Sequence, residues 1–581
     1  MPGKRSVLLL SILFLLGMAA AAWAQDGAAA PKIDTGDTAW VLTSSALVLL
    51  MTIPGLALFY GGMVRRKNAL GTIMHSFIIT ALISVQWVLW GYSLAFGPDI
   101  GGVVGNLDWF GLAGVGQTPN ADYAATIPHQ AYMVFQLMFA VITPALITGT
   151  FAERMRFSTF LIFTLLWATF IYDPLAHWVW GVGGWIRKLG ALDFAGGTVV
   201  HISSGVSALA CALVIGKRVG YGTEPMPPHN LPFTVLGASL LWVGWFGFNA
   251  GSAVAAGGLA TSAFVVTHTA AAAAALAWML SEWTAKGQPT VLGAASGAVA
   301  GLVAITPASG FVGPLSAIAI GTAGGVLCYS ACNLKTKLGY DDSLDVVGVH
   351  GVGGTWGALA TGLFASKAIN PAGADGFFFG NPELLTAQAI AVVATWAFAF
   401  LGTLIILGVL NALMGLRVTE EEELLGLDLS QHSENAYAFE LPGSIGSLQS
   451  YASRPTEVVR RPAPAPLSMR PPPAPVPQTE SRRTPPVQPV ETREGSPAAA
   501  EPSFEISVAD VDKKVLQQIW NDLCQKYPHD VPQEFSDIYL DVKSFRDNTW
   551  TFRKGNPEEY RRKLQQILSH YGVKGVHLEV A

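Results

Sequence analysis

Two histidines in otherwise apolar runs mark where this chain could do chemistry. His201 stands near the start of Gly197–Ile215 (GTVVHISSGVSALACALVI), and His350 near the start of Val346–Phe364 (VVGVHGVGGTWGALATGLF). In each case an aspartate, Asp193 or Asp342, lies eight residues upstream. Both runs are long enough to be membrane helices, where an ionisable side chain is rare and costly and reads by default as functional. A lone histidine in an apolar run is equally well a packing residue, but the repeated aspartate spacing shifts the balance to function. It implies two halves of one bundle, each ending in an acid-then-histidine helix, with a site near the midplane as in internally repeated transport folds. Two histidines do not make a metal centre, since zinc normally takes three or four ligands. Four scattered cysteines add neither a metal site nor a disulfide framework. No metal or cofactor is expected, and a pair that handles protons or binds substrate is the reading that remains.

The aspartates have a structural reading of their own. Asp193 precedes Phe194-Ala195-Gly196-Gly197 and Asp342 belongs to the Asp341-Asp342 pair. Each is placed to cap the backbone N–H groups of its helix. Capping or carbonyl positioning is the first reading for both, ahead of direct ion coordination.

The elements that would hold these residues follow from composition. Of 581 residues 51% are hydrophobic and only 13% charged, with a mean hydropathy of +0.41. Soluble domains carry about 25% charge. Residues 1–24 read as a signal peptide: Lys4 and Arg5, a short apolar stretch from Val7 to Leu16, and a small-x-small site at Ala22-Trp23-Ala24. Eleven apolar segments of spanning length follow, centred on Leu50, Ser84, Phe139, Thr164, Gly205, Leu241, Ala271, Val299, Thr322, Trp356 and Phe400. With the mature N-terminus outside, the inner loops carry eleven lysines and arginines and the outer ones only Arg187, Lys188 and Lys367, as the positive-inside rule requires. The C-terminal tail is then cytoplasmic. Spans rich in small residues, such as Val291–Gly301 (VLGAASGAVAG), read as close-packing faces.

Six segments in order carry a resemblance: Phe151–Ser158 (FAERMRFS), Ala191–His201 (ALDFAGGTVVH), Lys217–Gly220 (KRVG), Pro228–Pro232 (PHNLP), Gly244–Ala253 (GWFGFNAGSA) and Gly348–Val352 (GVHGV). They resemble the ammonium transporters of the Amt/Rh family, and the likeness continues through Gly415–Tyr437 (GLRVTEEEELLGLDLSQHSENAY), covering about residues 35–440. It implies an all-α membrane protein, a homotrimer of eleven-helix protomers, each with two inverted five-helix repeats plus one helix around its own narrow pore. Carried over by motif, His201 and His350 would be the twin pore histidines, and Phe139 and Phe248 the stacked gate. Trp180, Ser252 and Phe135 would form the outer ammonium-recruiting site, supported by Asp193, while Trp245 would line the pore wall. The membrane domain would be residues 35–415 and the regulatory tail 416–441. The implied partners are ammonium or ammonia, membrane lipid and, near the tail, a PII-type signalling protein, with no nucleic acid. The implied location is the plasma (inner) membrane.

Beyond this, fourteen prolines between Pro455 and Pro502 make residues 442–502 a semi-extended linker. Residues 503–581 read as a small α+β domain. Strands are expected at Phe504–Val508, Asp537–Val542, Thr549–Arg553 and Val573–Val580, and helices at Asp510–Tyr527 and from Pro557 to Gly572. The order βαββαβ suits a ferredoxin-like split fold, and no P-loop or kinase-like glycine motif suggests an enzyme. Two function classes follow: a conducting ammonium transporter regulated by the appended domain, or an ammonium sensor signalling through it. Eleven spans exclude a soluble enzyme.

Overall fold

The computed structural model describes residues 32–437, together with four strands and a few helical positions between residues 504 and 580. The chain divides into two units, residues 1–456 and 457–581. The signal peptide, the linker and the helix expected at Asp510–Tyr527 lie outside the described residues.

The first unit is helical. Its long elements are α1 (Thr35–Met63), α2 (Arg66–Phe96), α3 (His129–Phe151), α4 (Phe157–Leu189), α5 (Gly197–Ile215), α6 (Leu231–Ala250), α7 (Gly258–Lys286), α8 (Val291–Ile305), α9 (Pro314–Leu338), α10 (347–364) and α11 (Pro382–Met414). Every apolar centre expected from the sequence falls within one of them. Nine of the described helices are long and apolar enough to cross a membrane; α8, with 15 residues, and α10 are outside that set. The starts follow local chemistry. Asn230 caps α6 by accepting from Phe233 N–H at 3.0 Å, and Pro232 occupies the first turn, where its missing N–H costs nothing. Thr290 caps α8 and Asn381 caps α11 in the same way.

Small residues set the packing, as the composition suggests. A methyl group at Gly301 of α8 would sit 2.5 Å from the Ala270 carbonyl oxygen of α7, and one at Gly321 of α9 2.2 Å from the same atom. Three helices therefore share one seam that only glycine permits. Six helices also contain a wide, π-type turn: Met51–Leu56, Trp87–Gly91, Ala168–Tyr172, Gly197–Ile202, Phe246–Ala250 and Val347–Val352. Such turns rotate the following side chains out of α register and free backbone groups, and they concentrate at functional sites.

The segment after α11 lies along one end of the bundle. Arg156 N–H donates to Leu416 O at 3.0 Å and Val418 N–H to Arg154 O at 3.1 Å. Two short helices follow, α12 (Glu420–Leu425) and α13 (Leu427–His432). Thr419 and Glu422 form a reciprocal capping box at α12. Glu423, buried, accepts from Val219 N–H at 2.7 Å and pairs with Arg417. Asp428 accepts from Leu70 and Gly71 N–H at 3.0 and 2.8 Å, capping α2 from outside the helix. Of the acidic run Glu420–Glu423, Glu423 alone reaches a loop, at Val219 N–H, while Arg154 and Arg156 are met by the backbone of Leu416, Arg417 and Val418, and Lys217 stands over the Tyr221 ring.

The second unit contains an antiparallel sheet of Phe504–Val508, Val542–Arg546, Thr549–Phe552 and Leu578–Val580, with the first strand between the third and the fourth and the second at the edge beside the third. The first and third strands match expectation. The second is described over Val542–Arg546, and residues 537–541 of the strand expected at Asp537–Val542 lie outside the described residues. Arg546 pairs with Thr549.

Candidate functional site

The two histidines meet. His201 lies in the π-type turn that begins α5 and His350 in the one that begins α10, and both are buried. Their Nδ1 atoms are 3.3 Å apart and their rings nearly stacked, with centroids 5.3 Å apart and planes at 27°. One proton satisfies such a contact: one Nδ1 donates and the other accepts. His201 Nε2 has no hydrogen-bond partner and belongs to a ring that lines a narrow cavity.

What brings them together is a reciprocal crossing of α5 and α10. The residue four after each histidine is a glycine, Gly205 or Gly354, and each faces the residue just after the other histidine. A methyl group at Gly205 would lie 2.0 Å from Gly351 N, and one at Gly354 would lie 2.9 Å from His201 Cβ and 3.0 Å from Ile202 N. Backbones this close bring the two imidazoles against each other.

The cavity is lined by His201 and His350 and otherwise by apolar side chains, among them Met51, Ile142, Leu146, Trp245 and Phe248. Trp245 stacks on His201 at 5.5 Å and donates its indole N–H to Thr306 at 2.9 Å. Phe248 lies 6.0 Å from the His201 ring, and Phe139 covers Phe248 at 4.3 Å. Beyond Phe139 a more polar vestibule opens, lined by Trp180 and Ser252 together with Tyr132, Gln136, Asp122 and Arg187. Phe248 lines the cavity and Phe139 the vestibule, so the stacked pair stands between the two compartments.

Within the vestibule Ser252 donates its hydroxyl to Phe248 O at 2.8 Å, so its free lone pairs make it an acceptor for a guest. Trp180 donates Nε1–H to Asp193 O at 2.9 Å and stands edge-on to Phe139. Asp193 does not line the vestibule. Its carboxylate accepts from the N–H groups of Gly196, Gly197 and Thr198 at 2.6–2.8 Å, from Val199 N–H at 3.3 Å and from the Thr198 hydroxyl. It caps the turn that carries His201, and its carbonyl fixes Trp180. Asp342 caps α10 more sparsely, through Val347 N–H at 2.8 Å. Phe135 is not among the residues lining the vestibule: it is fully buried, packed edge-on against Phe139 at 5.0 Å and against Gly251. Gln136, not singled out from the sequence, has a buried Oε1 without a partner and lines the vestibule. Its signal was the one that exposed the histidines, a polar side chain in an apolar helix.

The end of the bundle near the tail holds a buried charge cluster. Arg218 donates to Asp341 from its backbone N–H and from Nε and Nη2, each at 2.9 Å, Arg154 stands 3.6 Å from the same carboxylate, and Arg65 pairs with Glu153. Burial pushes the Asp341 carboxyl up, but the Arg218 hydrogen bonds and the Arg154 charge outweigh it and hold it below the usual carboxylate range. Among the described residues no group of three or more histidines, cysteines or acids could hold a metal ion.

Fold and site define a multi-pass membrane protein with a narrow apolar passage, closed by aromatic rings above a histidine pair. A model of the Ammonium Transporter Family matches residues 39–437. An ammonium transporter of Bacillus subtilis is 57% identical over 403 residues, covering 69% of this chain and 98% of that protein. Ammonium transporter Amt1 of Archaeoglobus fulgidus is 51% identical over 402 residues, 69% of this chain and 99% of that one. Among solved structures, Candida albicans Mep2 matches with a TM-score of 0.65 and 38% identity over 70% of this chain and 91% of that chain. A structure described as a sensor Amt protein matches with a TM-score of 0.63 and 30% identity over 68% and 98%. The chain belongs to the ammonium transporter family.

Proposed function

We propose that this ammonium transporter recruits the ammonium ion in the vestibule, removes its proton and passes ammonia through the cavity beside His201 and His350. The observation that carries this reading is the histidine pair beneath Phe139 and Phe248 in a passage otherwise apolar. Trp180 and Phe139 offer aromatic faces, worth about 0.5–2 kcal/mol each to a cation, while Ser252 and Gln136 offer oxygens. Moving the ion itself into an apolar passage is opposed by an idealised Born term on the order of 20 kcal/mol, and by several kcal/mol after relaxation. Deprotonating it at pH 7, if its pKa is near the lysine value, costs roughly 4–5 kcal/mol. Ammonia then meets imidazoles that present both a donor and an acceptor.

The wider architecture in this reading is eleven spans in two inverted five-helix halves plus one, assembled as a homotrimer in the inner membrane, with the vestibule and mature N-terminus outside and the tail in the cytoplasm. The reciprocal Gly205 and Gly354 contacts support the inverted halves. The docked 415–437 segment is a regulatory element and the place where a PII-type protein would bind. The strand order of the second unit supports the ferredoxin-like split fold, with a regulatory rather than enzymatic role. A second reading, an ammonium sensor, is favoured by this appended unit and by the likeness to a protein described as a sensor. Ammonium uptake into reconstituted vesicles separates the two: transport by the wild type that changes rate or ammonium-over-potassium selectivity in His201→Ala and His350→Ala supports conduction. Vesicles that take up no ammonium despite intact protein would leave the sensor.

A further inference from the structure

Of the six π-type turns, four supply cavity residues: Met51 and Leu56, His201, Phe248 and His350. The remaining two, Trp87–Gly91 in α2 and Ala168–Tyr172 in α4, do not touch the cavity, yet they meet at one point. Gln86 directly precedes the first and Asp173 directly follows the second, and Gln86 Nε2 donates to Asp173 Oδ2 at 2.7 Å. Both residues are fully buried at membrane depth. The Gln86 bond is the only polar contact of Asp173 among the described residues, and Asp173 Oδ1, Gln86 Oε1 and the Tyr172 hydroxyl have no partner. The site is built rather than incidental. A methyl group at Gly91 would fall 2.6 Å from Gln86 Oε1, so this glycine is the cradle in which the amide lies. Thr169, held by Trp90 Nε1–H at 3.0 Å, keeps the amide nitrogen turned towards Asp173.

Two buried oxygens left over on two groups already joined by one hydrogen bond lack a single proton. A proton on Asp173 Oδ1 donates to Gln86 Oε1 and closes a cyclic acid–amide pair, in which every oxygen and the amide N–H are used. An ionised Asp173 would instead face an acceptor at membrane depth without a cation beside it. Around the pair stand Tyr172 and, one turn along α4, His177. Both His177 nitrogens face acceptors, Nδ1 the Ala95 carbonyl at 3.0 Å and Nε2 the Asp99 carboxylate at 2.9 Å. Asp99 is exposed at the vestibule end and also pairs with Lys188.

We propose that Gln86 and Asp173 form a second proton-binding site beside the pore, separate from the histidine pair. The ligand is the proton itself. Infrared spectroscopy of the full chain in lipid vesicles near neutral pH tests this. The expected result is a protonated-carboxyl C=O band that shifts on transfer to deuterated water and is lost in Asp173→Asn, where an amide–amide pair preserves the shape. Gly91→Ala, which pushes the Gln86 amide aside and leaves Asp173 in place, should shift the band without removing it. A wild-type spectrum without the band, or a band that survives Asp173→Asn, overturns the site.

Discussion

Asp193 and Asp342 occupy the same position relative to their histidines, and the structure uses them differently. Asp193 gathers five donors from the turn that begins α5 and, through its carbonyl, holds Trp180 against the vestibule. Asp342 accepts from Val347 N–H alone and keeps Oδ1 without a partner. The loop that carries Asp342 is held by its neighbours: Asp341 by two arginines, and the Asp342 carbonyl by Lys335 Nζ at 2.7 Å. An identical spacing therefore encodes a self-contained cap in one half. In the other half it encodes a helix start positioned from outside by a charge cluster, which is also the cluster that the tail segment covers.

The largest effect should come from Asp193→Ala. Bonds to a charged acceptor contribute about 1.5–3 kcal/mol each and are not additive, so losing five of them should cost at least several kcal/mol. The expected outcome is loss of stable assembly on size-exclusion chromatography. A variant that assembles and conducts like wild type would mean that the turn is held by the helix packing alone.

Next comes Asp341→Asn, which leaves Arg218 and Arg154 without their carboxylate; breaking a buried pair costs about 3–5 kcal/mol. The pH dependence sharpens the test. The folded carboxyl lies below its unfolded value, so its stabilisation is fully present above about pH 4 and is lost as pH falls through the folded value. Melting temperatures of wild type and variant should differ by a constant amount near neutral pH and converge in acid. A gap that stays constant into acid would remove Asp341 from the electrostatic account.

The crossing of α5 and α10 is nearly symmetric, and the departure from symmetry is measurable. Gly205→Ala drives a methyl group to 2.0 Å from the Gly351 backbone nitrogen, whereas Gly354→Ala meets His201 Cβ and the Ile202 backbone nitrogen only at 2.9 and 3.0 Å. Overpacking costs about 1–3 kcal/mol, and Gly205→Ala should lie at the upper end with a larger change in ammonium flux, because it separates the imidazoles. Equal effects would show that the crossing yields equally from both sides.

Much of this was legible in the sequence, and the limits have physical causes. His201 and His350 were visible because a charged-capable group in an apolar run is costly wherever it lies, and the repeated aspartates pointed to caps before any contact was known. Gln136, Gln86 and Asp173 carry the same kind of signal but lack a partner at matched spacing, and the meeting of Gln86 and Asp173 depends on π-type turns that apolar periodicity does not reveal. Phe135 and Phe139 are four residues apart on one helix face and both buried; only the packed structure shows that Phe139 stacks on Phe248 and lines the vestibule while Phe135 packs against Gly251. Gly205 and Gly354 read as two among many small residues until the partner helix is in place.

The smallest effect tests the other side of the comparison. Asp342→Asn retains an oxygen for Val347 N–H and removes an ionisable group whose Oδ1 has no hydrogen-bond partner. Burial already raises this carboxyl above the usual range, only partly offset by the Lys335 charge. The folded state therefore favours the protonated acid, so Asp342 contributes most below its raised pKa and opposes folding as pH rises through it. Asparagine, which resembles the neutral acid, should change stability by less than about 1 kcal/mol and should flatten that pH dependence while leaving the Asp341 effect in place. Ammonium flux should be unchanged, since the position of α10 is set by Asp341, Arg154 and Arg218. If Asp342→Asn instead impairs conduction as severely as Asp193→Ala, the two aspartates act alike, and the contrast between a self-contained and an externally held helix start fails.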